Sequence, residues 1–548
     1  MRDRRTVTVW AVAGLAAVAT AVWRVLSFSG FTNDHYLHLA RAQQMVLGDW
    51  PVRDFVDPGM PLMYLVSAVA ELVAGRALWV ELAVVAMAYA CGSALTLATA
   101  ARLSGRLAVA VAVTGGLVIL NPRSYSYPKV LLYALAGLLF TWAAEHPTRR
   151  RIAGLALLTA VAFLFRHDHG LYIGVGASVL LLCGETGGVR GSIRRILTFA
   201  GLVLLLLAPW ALYVQYWVGL GEYFRSGIEF SRHEASATAI ETLPVLRLGA
   251  PLRANATAWL FYLFHLLPLV AAALAWWPPA GGGSGRRATA AAVSGIAAMA
   301  LFANAGFLRE ELVPRIPDAA ASAAMLGAYC LGRWLDAWPS RLVVRTVCRV
   351  AAAAVLAITM ASCAALADLE GQVDKARLAG GIGHVLGRLD DLRLRLARAM
   401  PEDEQVPSRH AAAMMPLFDY LGRCTLPTDR MLLTGSLIPE AFVLAHRGFA
   451  GGHPAYFSGY YSGQDDQFRA VERMRHESVP VVVVSEDFEH FRATMPIVAA
   501  FVEENYVKGA DIEVERNPPL AVYFPRFAAG TPDPATGWPC LHPDVSRR

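Results

Sequence analysis

Long apolar runs recur along the first two thirds of this 548-residue chain, and they constrain its fold more than any other feature. Many approach the roughly 20 residues that a helix needs to cross the ~30 Å hydrocarbon layer of a bilayer. The chain is 56% hydrophobic and only 17% charged, which is too apolar for a soluble protein of this length. The sequence therefore predicts a mainly α, polytopic membrane protein.

About eleven segments are predicted to cross the membrane. The first spans residues 6–28 and follows Arg2, Arg4 and Arg5. A cleaved signal peptide is the alternative there, because Ala19-Thr20-Ala21 resembles a cleavage site. The other ten predicted spans are 77–101, 107–120, 130–144, 152–165, 169–183, 196–218, 256–277, 288–304, 317–332 and 346–366.

Arginine is denser in alternate connecting loops, such as 102–106, 149–151 and 190–195. The positive-inside rule places these loops and the N-terminus in the cytoplasm. An odd number of spans then puts the less apolar last third outside the cell's inner membrane. We predict a polytopic transmembrane domain over residues 1–367 and a soluble extracytoplasmic domain over residues 368–548.

The last third is predicted to be α/β. Residues 479–484 form the clearest strand, and residues 430–434 form another. A hairpin is predicted over 512–524, and helices are predicted over 372–400, 464–477 and 488–505.

Two features of this last third have alternative interpretations. Cys424 and Cys540 are its only cysteines, and they would pair in an oxidising compartment. The loop from His453 to Asp466 carries aromatic and carboxylate groups that suit sugar binding, but a plain surface loop explains it equally well.

Acids, imidazoles and arginines cluster in segments that this topology places on the outer face. Charge at the end of a membrane helix is costly unless it is paired or functional. The one-sided distribution therefore predicts an outward-facing active site. The clusters are 33–35, 54–57, 121–129, 166–169, 221–242 and 307–311.

The first outer loop carries the densest polar group. Apolar residues recur at helical spacing from Tyr36 to Leu47, with His38, Arg41 and Gln44 on the opposite face. This pattern predicts an amphipathic helix that lies on the membrane surface, and residues 59–74 form a second short apolar segment that could lie in the interface.

Two hypotheses fit Asp34 in this loop. It is either a catalytic base at the membrane surface or, with Thr32 and Asn33, a cap for the helix that follows.

Several functional classes find no support in the sequence. There is no G-x-x-x-x-G-K-[ST], H-E-x-x-H or G-x-S-x-G motif, which argues against an NTP motor, a zinc protease and a serine hydrolase. The seven cysteines show no metal-ligand spacing. The net charge of +6 comes from arginines in short loops rather than from a nucleic-acid-binding patch.

With these features, the chain resembles the GT-C superfamily of membrane glycosyltransferases, which includes protein O-mannosyltransferases and lipid A aminoarabinose transferases. The resemblance rests on the architecture of residues 1–366 and on Asp34, the acid in the first outer loop. It also rests on Asp57-Pro58-Gly59, which leads into an apolar stretch. The family commonly has an Asp-Glu or Asp-Asp pair where this chain has Asp34-His35.

The resemblance implies a GT-C-like bundle with interfacial helices in the first outer loop, and a hexosyl- or pentosyltransferase. The donor would be a sugar on a polyprenyl phosphate, and the acceptor a glycan, lipid or protein. Asp34 would take the proton of the attacking hydroxyl, with Asp57 or Asp54 as a helper or acceptor-positioning group. Arginine would neutralise the leaving phosphate.

Candidate phosphate-binding and substrate-binding residues come from several outer segments. Arg166 either contacts phosphate or pairs with Asp168, and Arg123 either contacts phosphate or lies among lipid headgroups. Arg309 can instead pair with a neighbouring acid. The full set is His35, Asp54, Arg123, Arg166, His167, Asp168, Arg232, His233 and Arg309.

No metal site or other cofactor is assigned from the sequence. His167 and His169 could hold a divalent metal with Asp168, but adjacent positions on one short turn seldom point at one ion.

The alternative from another class is a transporter or flippase of lipid-linked saccharides. Intramembrane carboxylates often serve proton coupling in such proteins. Transporters usually show internal repeats, and we find none in this sequence.

Overall fold

The structure is a computed structural model of the chain. Arg309 and residues 457–461 lie outside the part that it describes. The described residues are 2–184, 188–237, 242–277, 284–306, 308, 312–336, 342–397, 412–435, 437–456, 462–514, 519–527 and 530–541.

Helices make up most of the described chain, as the apolar runs predict. They are α1 (Arg2–Leu26), α2 (Asn33–Val46), α3 (Pro61–Ala74), α4 (Leu78–Ser104), α5 (Leu107–Leu120), α6 (Tyr127–Glu145), α7 (Arg149–Phe165), α8 (His167–Cys183), α9 (Gly188–Trp217), α10 (Leu220–Ala237), α11 (Leu252–Trp276), α12 (Ser284–Ala305), α13 (Leu312–Arg315), α14 (Ala320–Asp336), α15 (Leu342–Leu366), α16 (Leu369–Lys375), α17 (Ile382–Ala397), α18 (Met415–Cys424), α19 (Glu440–Ala445), α20 (Gln464–Met474), α21 (Phe488–Thr494) and α22 (Pro496–Asn505).

The chain divides into two compact units, each made of segments that are distant in sequence. Unit 2 joins the first outer loop to the C-terminal segment, although hundreds of residues separate them. The predicted membrane domain (1–367) and extracytoplasmic domain (368–548) remain a prediction. Unit 1 comprises Met1–Phe28, Leu82–Tyr213 and Glu234–Asp390, and unit 2 comprises Ser29–Glu81, Val214–His233 and Asp391–Arg548.

Each of the eleven predicted spans corresponds to a helix. Within the described residues, seven helices are long and apolar enough to cross a membrane: α1, α4, α6, α9, α11, α12 and α15. The other four are shorter, with 14 residues in α5 and 17 each in α7, α8 and α14. At 1.5 Å per residue these extend about 21–26 Å, less than the ~30 Å hydrocarbon layer. The predicted polytopic α-helical membrane fold is confirmed.

The core of unit 1 depends on close helix approach between α8 and α12. A Cβ atom on Gly176 would lie 2.7 Å from the Gly295 carbonyl oxygen, and one on Gly295 would lie 2.9 Å from that of Gly176. Only glycine permits this contact, which is how small residues bring membrane helices together. Phe140 of α6 packs beside the pair and is fully buried.

A mixed five-stranded sheet organises the C-terminal part of unit 2. Its order is β2-β1-β3-β5-β4, with β2, β1 and β3 parallel and with β5 antiparallel to both β3 and β4. The four valines of β3 are fully buried at the centre. The strands are β1 (Arg430–Thr434), β2 (Gly448–Phe449), β3 (Val481–Val484), β4 (Tyr506–Ile512), β5 (Leu520–Pro525), β6 (Thr531–Pro532) and β7 (Pro539–Cys540).

The predicted strands at 430–434 and 479–484 and the hairpin at 512–524 are confirmed by β1, β3 and the β4–β5 pair. Two predicted helices are each broken in two. Gly381 has a φ of +79°, which separates α16 from α17, and Pro496 begins a new helix after α21. Cys424 and Cys540 form a disulfide with Cα atoms 4.7 Å apart.

The predicted helix is confirmed as α2, and its polar face is buried within the protein; its position on the membrane surface stays a prediction. Gln43 donates hydrogen bonds to the carbonyls of Phe442 (2.8 Å) and Arg447 (2.7 Å). Gln44 donates to the Phe449 carbonyl at 3.2 Å and accepts from its N–H at 3.0 Å. α2 thus packs on α19 and β2 within unit 2.

Candidate functional site

Asp34 lies in the first turn of α2, on the solvent-exposed side. Thr32 occupies the N-cap position, and its side chain makes no capping hydrogen bond. Among the described residues, the Asp34 carboxylate has neither a hydrogen bond nor an ion pair. An exposed carboxylate without a partner is free to accept a proton, whereas a capping role would require a bond to a backbone N–H.

His35, the next residue, is fully buried. Its Nε2 lies 2.8 Å from Glu81 Oε1, and its ring stacks on Phe31 with centroids 4.5 Å apart. His35 therefore ties the first turn of α2 to the start of α4, and it faces away from the exposed side that carries Asp34.

Asp57 is buried and uses both of its oxygens. Oδ1 accepts from the N–H groups of Gly59 (2.9 Å) and Met60 (2.8 Å), and Oδ2 accepts from the Tyr223 hydroxyl (3.0 Å). Burial and the Asp57 carboxylate raise the pKa of Tyr223, so that the hydroxyl stays protonated as a donor. Asp57 holds the turn before α3 and connects it to α10.

Asp54 is half-buried and pairs with its neighbour. Its carboxylate accepts from Arg53 Nε (2.8 Å) and from the Trp50 N–H (2.7 Å). It is therefore engaged within its own loop.

The same face of α2 carries a second group that the sequence analysis did not assign to the site. His38 and Arg41 follow Asp34 at positions i+4 and i+7, so the three share one helix face. Both are buried, whereas Asp34 is exposed. Their spacing was visible in the sequence, but it was interpreted only as the polar side of a surface helix.

In unit 1, Arg166 pairs with Asp168 at 2.9 Å, as the alternative interpretation predicts. This carboxylate raises the pKa of Arg166, which stays charged. Asp168 also lies 3.3 Å from His169, whose Nδ1 is 3.0 Å from the Tyr133 hydroxyl.

His167 is oriented by its own helix. Its Nδ1–H donates to the Phe163 carbonyl at 2.9 Å, and its ring stacks on that of Phe163 with centroids 4.1 Å apart. Within the described part of the chain, no group of three or more His, Cys, Asp or Glu side chains is arranged to hold a metal ion.

Two further basic groups of unit 1 also have partners. Lys129 forms an ion pair with Asp318, and both are largely buried. Arg123 hydrogen-bonds to Tyr125, and its guanidinium carbon lies 4.5 Å from that ring's centroid.

Arg232 and His233 are exposed on α10 in unit 2, while Arg309 lies outside the described residues. The predicted site residues thus fall into two sets. Asp34, His35, Asp54, Asp57, Arg232 and His233 belong to unit 2, and Arg123, Arg166, His167 and Asp168 belong to unit 1.

Comparison with protein-family models finds no match to this chain, and comparison with curated proteins finds none either. A similar fold is found among solved structures. The similar structure is the crystal structure of ArnT from Cupriavidus metallidurans bound to undecaprenyl phosphate. The TM-score is 0.52 at 15% sequence identity, covering 94% of this chain and 97% of that one. At this identity the likeness establishes the fold alone. That fold is the one implied by the resemblance found in the sequence.

Proposed function

We propose that the protein is an integral membrane glycosyltransferase. It moves a sugar from a polyprenyl-phosphate-linked donor to an acceptor on the outer face of the cytoplasmic membrane. The observation that carries this proposal is the likeness, along 94% of the chain, to a structure that holds undecaprenyl phosphate. A lipid phosphate is what remains of such a donor after its sugar has been transferred.

Asp34 is the proposed general base. The acceptor hydroxyl oxygen attacks the anomeric carbon of the sugar, and its proton passes to the Asp34 carboxylate. The bond between the anomeric carbon and the phosphate oxygen breaks, and the polyprenyl phosphate leaves with the electron pair. A single displacement of this kind inverts the anomeric centre. The exposed, unpartnered state of Asp34 supports the role, because no internal hydrogen bond must be broken first.

The other acids of the loop act as supports in this proposal. Asp57 keeps the turn and Tyr223 in place, because both its oxygens accept hydrogen bonds. Asp54 keeps Arg53 in place beside Trp217, whose ring centroid is 5.8 Å from the guanidinium carbon. Aromatic and cationic groups together suit a sugar or an anionic acceptor.

Arg123 and Arg166 remain the proposed phosphate contacts in unit 1. An arginine presents paired donors that match phosphate oxygens. A phosphate at Arg166 would share the guanidinium with Asp168, because their ion pair is already formed.

The Cys424–Cys540 disulfide supports an extracytoplasmic C-terminal domain. Disulfides persist in oxidising compartments and are rare in the cytosol. This agrees with the positive-inside topology, in which the N-terminus is cytoplasmic.

The experiment that tests the function uses the full-length protein in proteoliposomes. The probes are radiolabelled undecaprenyl-phospho-sugars, with an envelope lipid and glycan fraction as acceptors. Labelled product supports the transferase. Movement of the donor across the bilayer without product would favour the alternative, a flippase of lipid-linked saccharides. If neither product nor movement is observed, both functions are contradicted.

A further inference from the structure

Unit 2 contains a buried arginine that has no anionic partner among the described residues. Arg41 of α2 is only 5% exposed, and its Nε has no hydrogen-bond partner. It forms no ion pair with any described residue, and its guanidinium carbon lies 5.5 Å from the centroid of the Tyr64 ring. A buried charge without a counter-charge is destabilising, so such a group usually serves a ligand rather than the fold.

A second arginine of the same unit approaches a glycine backbone. Gly452 has a φ of +82°, and a Cβ atom there would lie 1.9 Å from a terminal nitrogen of Arg473. The Arg473 guanidinium is half-buried and makes no hydrogen bond or ion pair with the described residues. The Gly452 carbonyl accepts from the Val56 N–H at 3.1 Å, so the first outer loop lies against this backbone.

The loop before α3 joins the surroundings of the two arginines. The ring centroid of Phe55 lies 6.3 Å from that of Tyr64, the ring beside Arg41. A Cβ atom on Gly452, which lies beside Arg473, would be 3.1 Å from the carbonyl oxygen of Asp54.

His453 follows Gly452 directly. Its burial and the charges of Arg473, Arg41 and Arg469 lower its pKa well below the usual value. The imidazole is therefore neutral at physiological pH, and the cationic groups around it dominate the local field.

The neighbouring carboxylates are already engaged. Both oxygens of Asp57 accept hydrogen bonds, and Asp54 pairs with Arg53. Glu477 accepts from the Gly451 N–H at 2.8 Å and lies 3.6 Å from Arg430. The positive charge of Arg41 and Arg473 is thus left for an anion from outside the chain.

We propose that Arg41 and Arg473, together with the backbone at Gly452, form a binding site for an oxyanion, either phosphate or carboxylate. Arginine donates through a planar fork that fits both groups. Asp34 lies on the same face of α2, about 10 Å along the helix axis from Arg41. A bound anion would therefore hold one end of a substrate whose reacting part reaches the proposed base.

Two sources can supply this oxyanion, and naming either one rests on the proposed function. One is the phosphate of the polyprenyl donor, which would then bind at Arg41 and Arg473 instead of at Arg123 and Arg166. The other is an acidic group on the acceptor. Binding of undecaprenyl phosphate, undecaprenol and inorganic phosphate to the detergent-purified full chain separates them without any turnover.

Arg41→Met removes the charge and keeps an apolar stem of similar length. We expect it to weaken anion binding at least tenfold, and Arg41→Lys to weaken it less. Arg473→Met should act in the same direction. Arg475→Met is the matched control, because Arg475 is exposed near the end of the same helix and pairs with Glu472.

The three probes decide between the sources. If Arg41→Met weakens the binding of undecaprenyl phosphate but not that of undecaprenol, the site belongs to the donor phosphate. If Arg41→Met weakens the binding of inorganic phosphate alone, the site belongs to an acidic group on the acceptor. Unchanged binding of both anions in Arg41→Met overturns the proposal, and it leaves the transferase proposal intact because no reaction is measured.

Thermal unfolding distinguishes a binding arginine from a structural one. Arg447 of the same unit is equally buried, but it donates to Thr425 Oγ1 (3.0 Å) and to the Leu421 carbonyl (2.7 Å). We expect Arg447→Met to lower the unfolding temperature, and Arg41→Met to leave it unchanged or raise it. A large decrease in Arg41→Met with normal anion binding would show that Arg41 serves the fold.

Discussion

Two ion pairs of unit 1 and two charged groups of unit 2 differ in whether the charges have partners. In unit 1, Lys129 pairs with Asp318 and Arg166 with Asp168. In unit 2, Asp34 and Arg41 lie on one face of α2, and neither pairs with a described residue. Removing one partner of a buried pair is destabilising because it leaves the other charge unpaired, and a buried charge without a partner is kept at a cost to stability.

We interpret this difference as one between residues that hold the protein together and the residues proposed to contact a substrate. A membrane segment cannot leave a charge unpaired in lipid, so a charge there needs a partner whatever its function. Arg41 is buried too, so its lack of an ion pair with any described residue is informative in the same way. The first outer loop is therefore where we expect the chemistry to be centred.

The largest expected effect follows from replacing the proposed base. Asp34→Asn removes the proton acceptor but keeps the size of the side chain. We expect the transfer rate to fall by about 10²–10⁴, the usual contribution of a general base. The unfolding temperature should not change, because the carboxylate is exposed and holds no partner. Initial rates with a labelled undecaprenyl-phospho-sugar, together with thermal unfolding, test both expectations.

Asp419→Asn is the matched control for this replacement. Asp419 is also an exposed aspartate of a helix in unit 2, and it lies outside the proposed site. It should retain the wild-type rate. A wild-type rate in Asp34→Asn would remove Asp34 from the mechanism.

The second prediction breaks a pair in unit 1. Lys129→Met leaves Asp318 buried without its cation, and we expect it to lower the free energy of unfolding by about 3–5 kcal/mol. The double replacement Lys129→Met/Asp318→Leu removes both charges and should recover most of the loss. Denaturant unfolding of the detergent-solubilised variants measures both values.

Equal stability of the wild type and the single Lys129 variant would contradict this interpretation. The pair would then contribute nothing, and Lys129 would become a candidate for ligand binding like Arg41. Lys129 would then no longer be an example of a charge in unit 1 that is held by its partner.

The sequence predicted the helices and most strands because their signals are local. The apolar runs located a helix for each span, and the valines of β3 located the central strand. The burial of the polar face of α2 was not predictable in this way. Gln43 contacts Phe442 and Arg447, about 400 positions away, and no local pattern indicates such a partner.

The same limitation applies to the site. Asp34 is proposed as the base because it lies among many polar groups directly after the first span, and that role stays a prediction. Arg41 was overlooked, since its burial depends on the C-terminal segment that packs on α2. For Arg166, the neighbouring Asp168 was enough to suggest the pair that the structure contains.

The third prediction concerns the cysteines, which also differ between the units. Cys424 and Cys540 are bonded in unit 2, whereas the five cysteines of unit 1 are free. Cys424→Ser should lower the free energy of unfolding by about 2–4 kcal/mol, because the bond closes a long loop. Cys91→Ser, a free exposed cysteine, is the control. A protein purified from the membrane with both thiols reduced would argue against an extracytoplasmic C-terminal domain.

The smallest expected effect tests a third unpartnered group of unit 2. Glu440 is 2% exposed, and neither of its carboxylate oxygens has a hydrogen-bond partner in the part of the chain that the structure describes. Burial raises its pKa to about 8, well above that of an unfolded glutamate. The folded state therefore binds this proton more tightly. The contribution of protonated Glu440 to the free energy of unfolding is complete below about pH 4, and it is lost as the pH rises through about 8.

Glu440→Gln is neutral at every pH and should remove this dependence. We expect the variant to unfold at the same temperature as the wild type near pH 5, and at a temperature higher by roughly 2 °C or more at pH 9. Glu504→Gln, an exposed glutamate of the same unit, should show no such trend. If the difference between Glu440→Gln and the wild type stays constant from pH 5 to 9, Glu440 has a partner in solution. Lack of a partner would then no longer distinguish unit 2, and Arg41 would need its binding test before any role in substrate recognition.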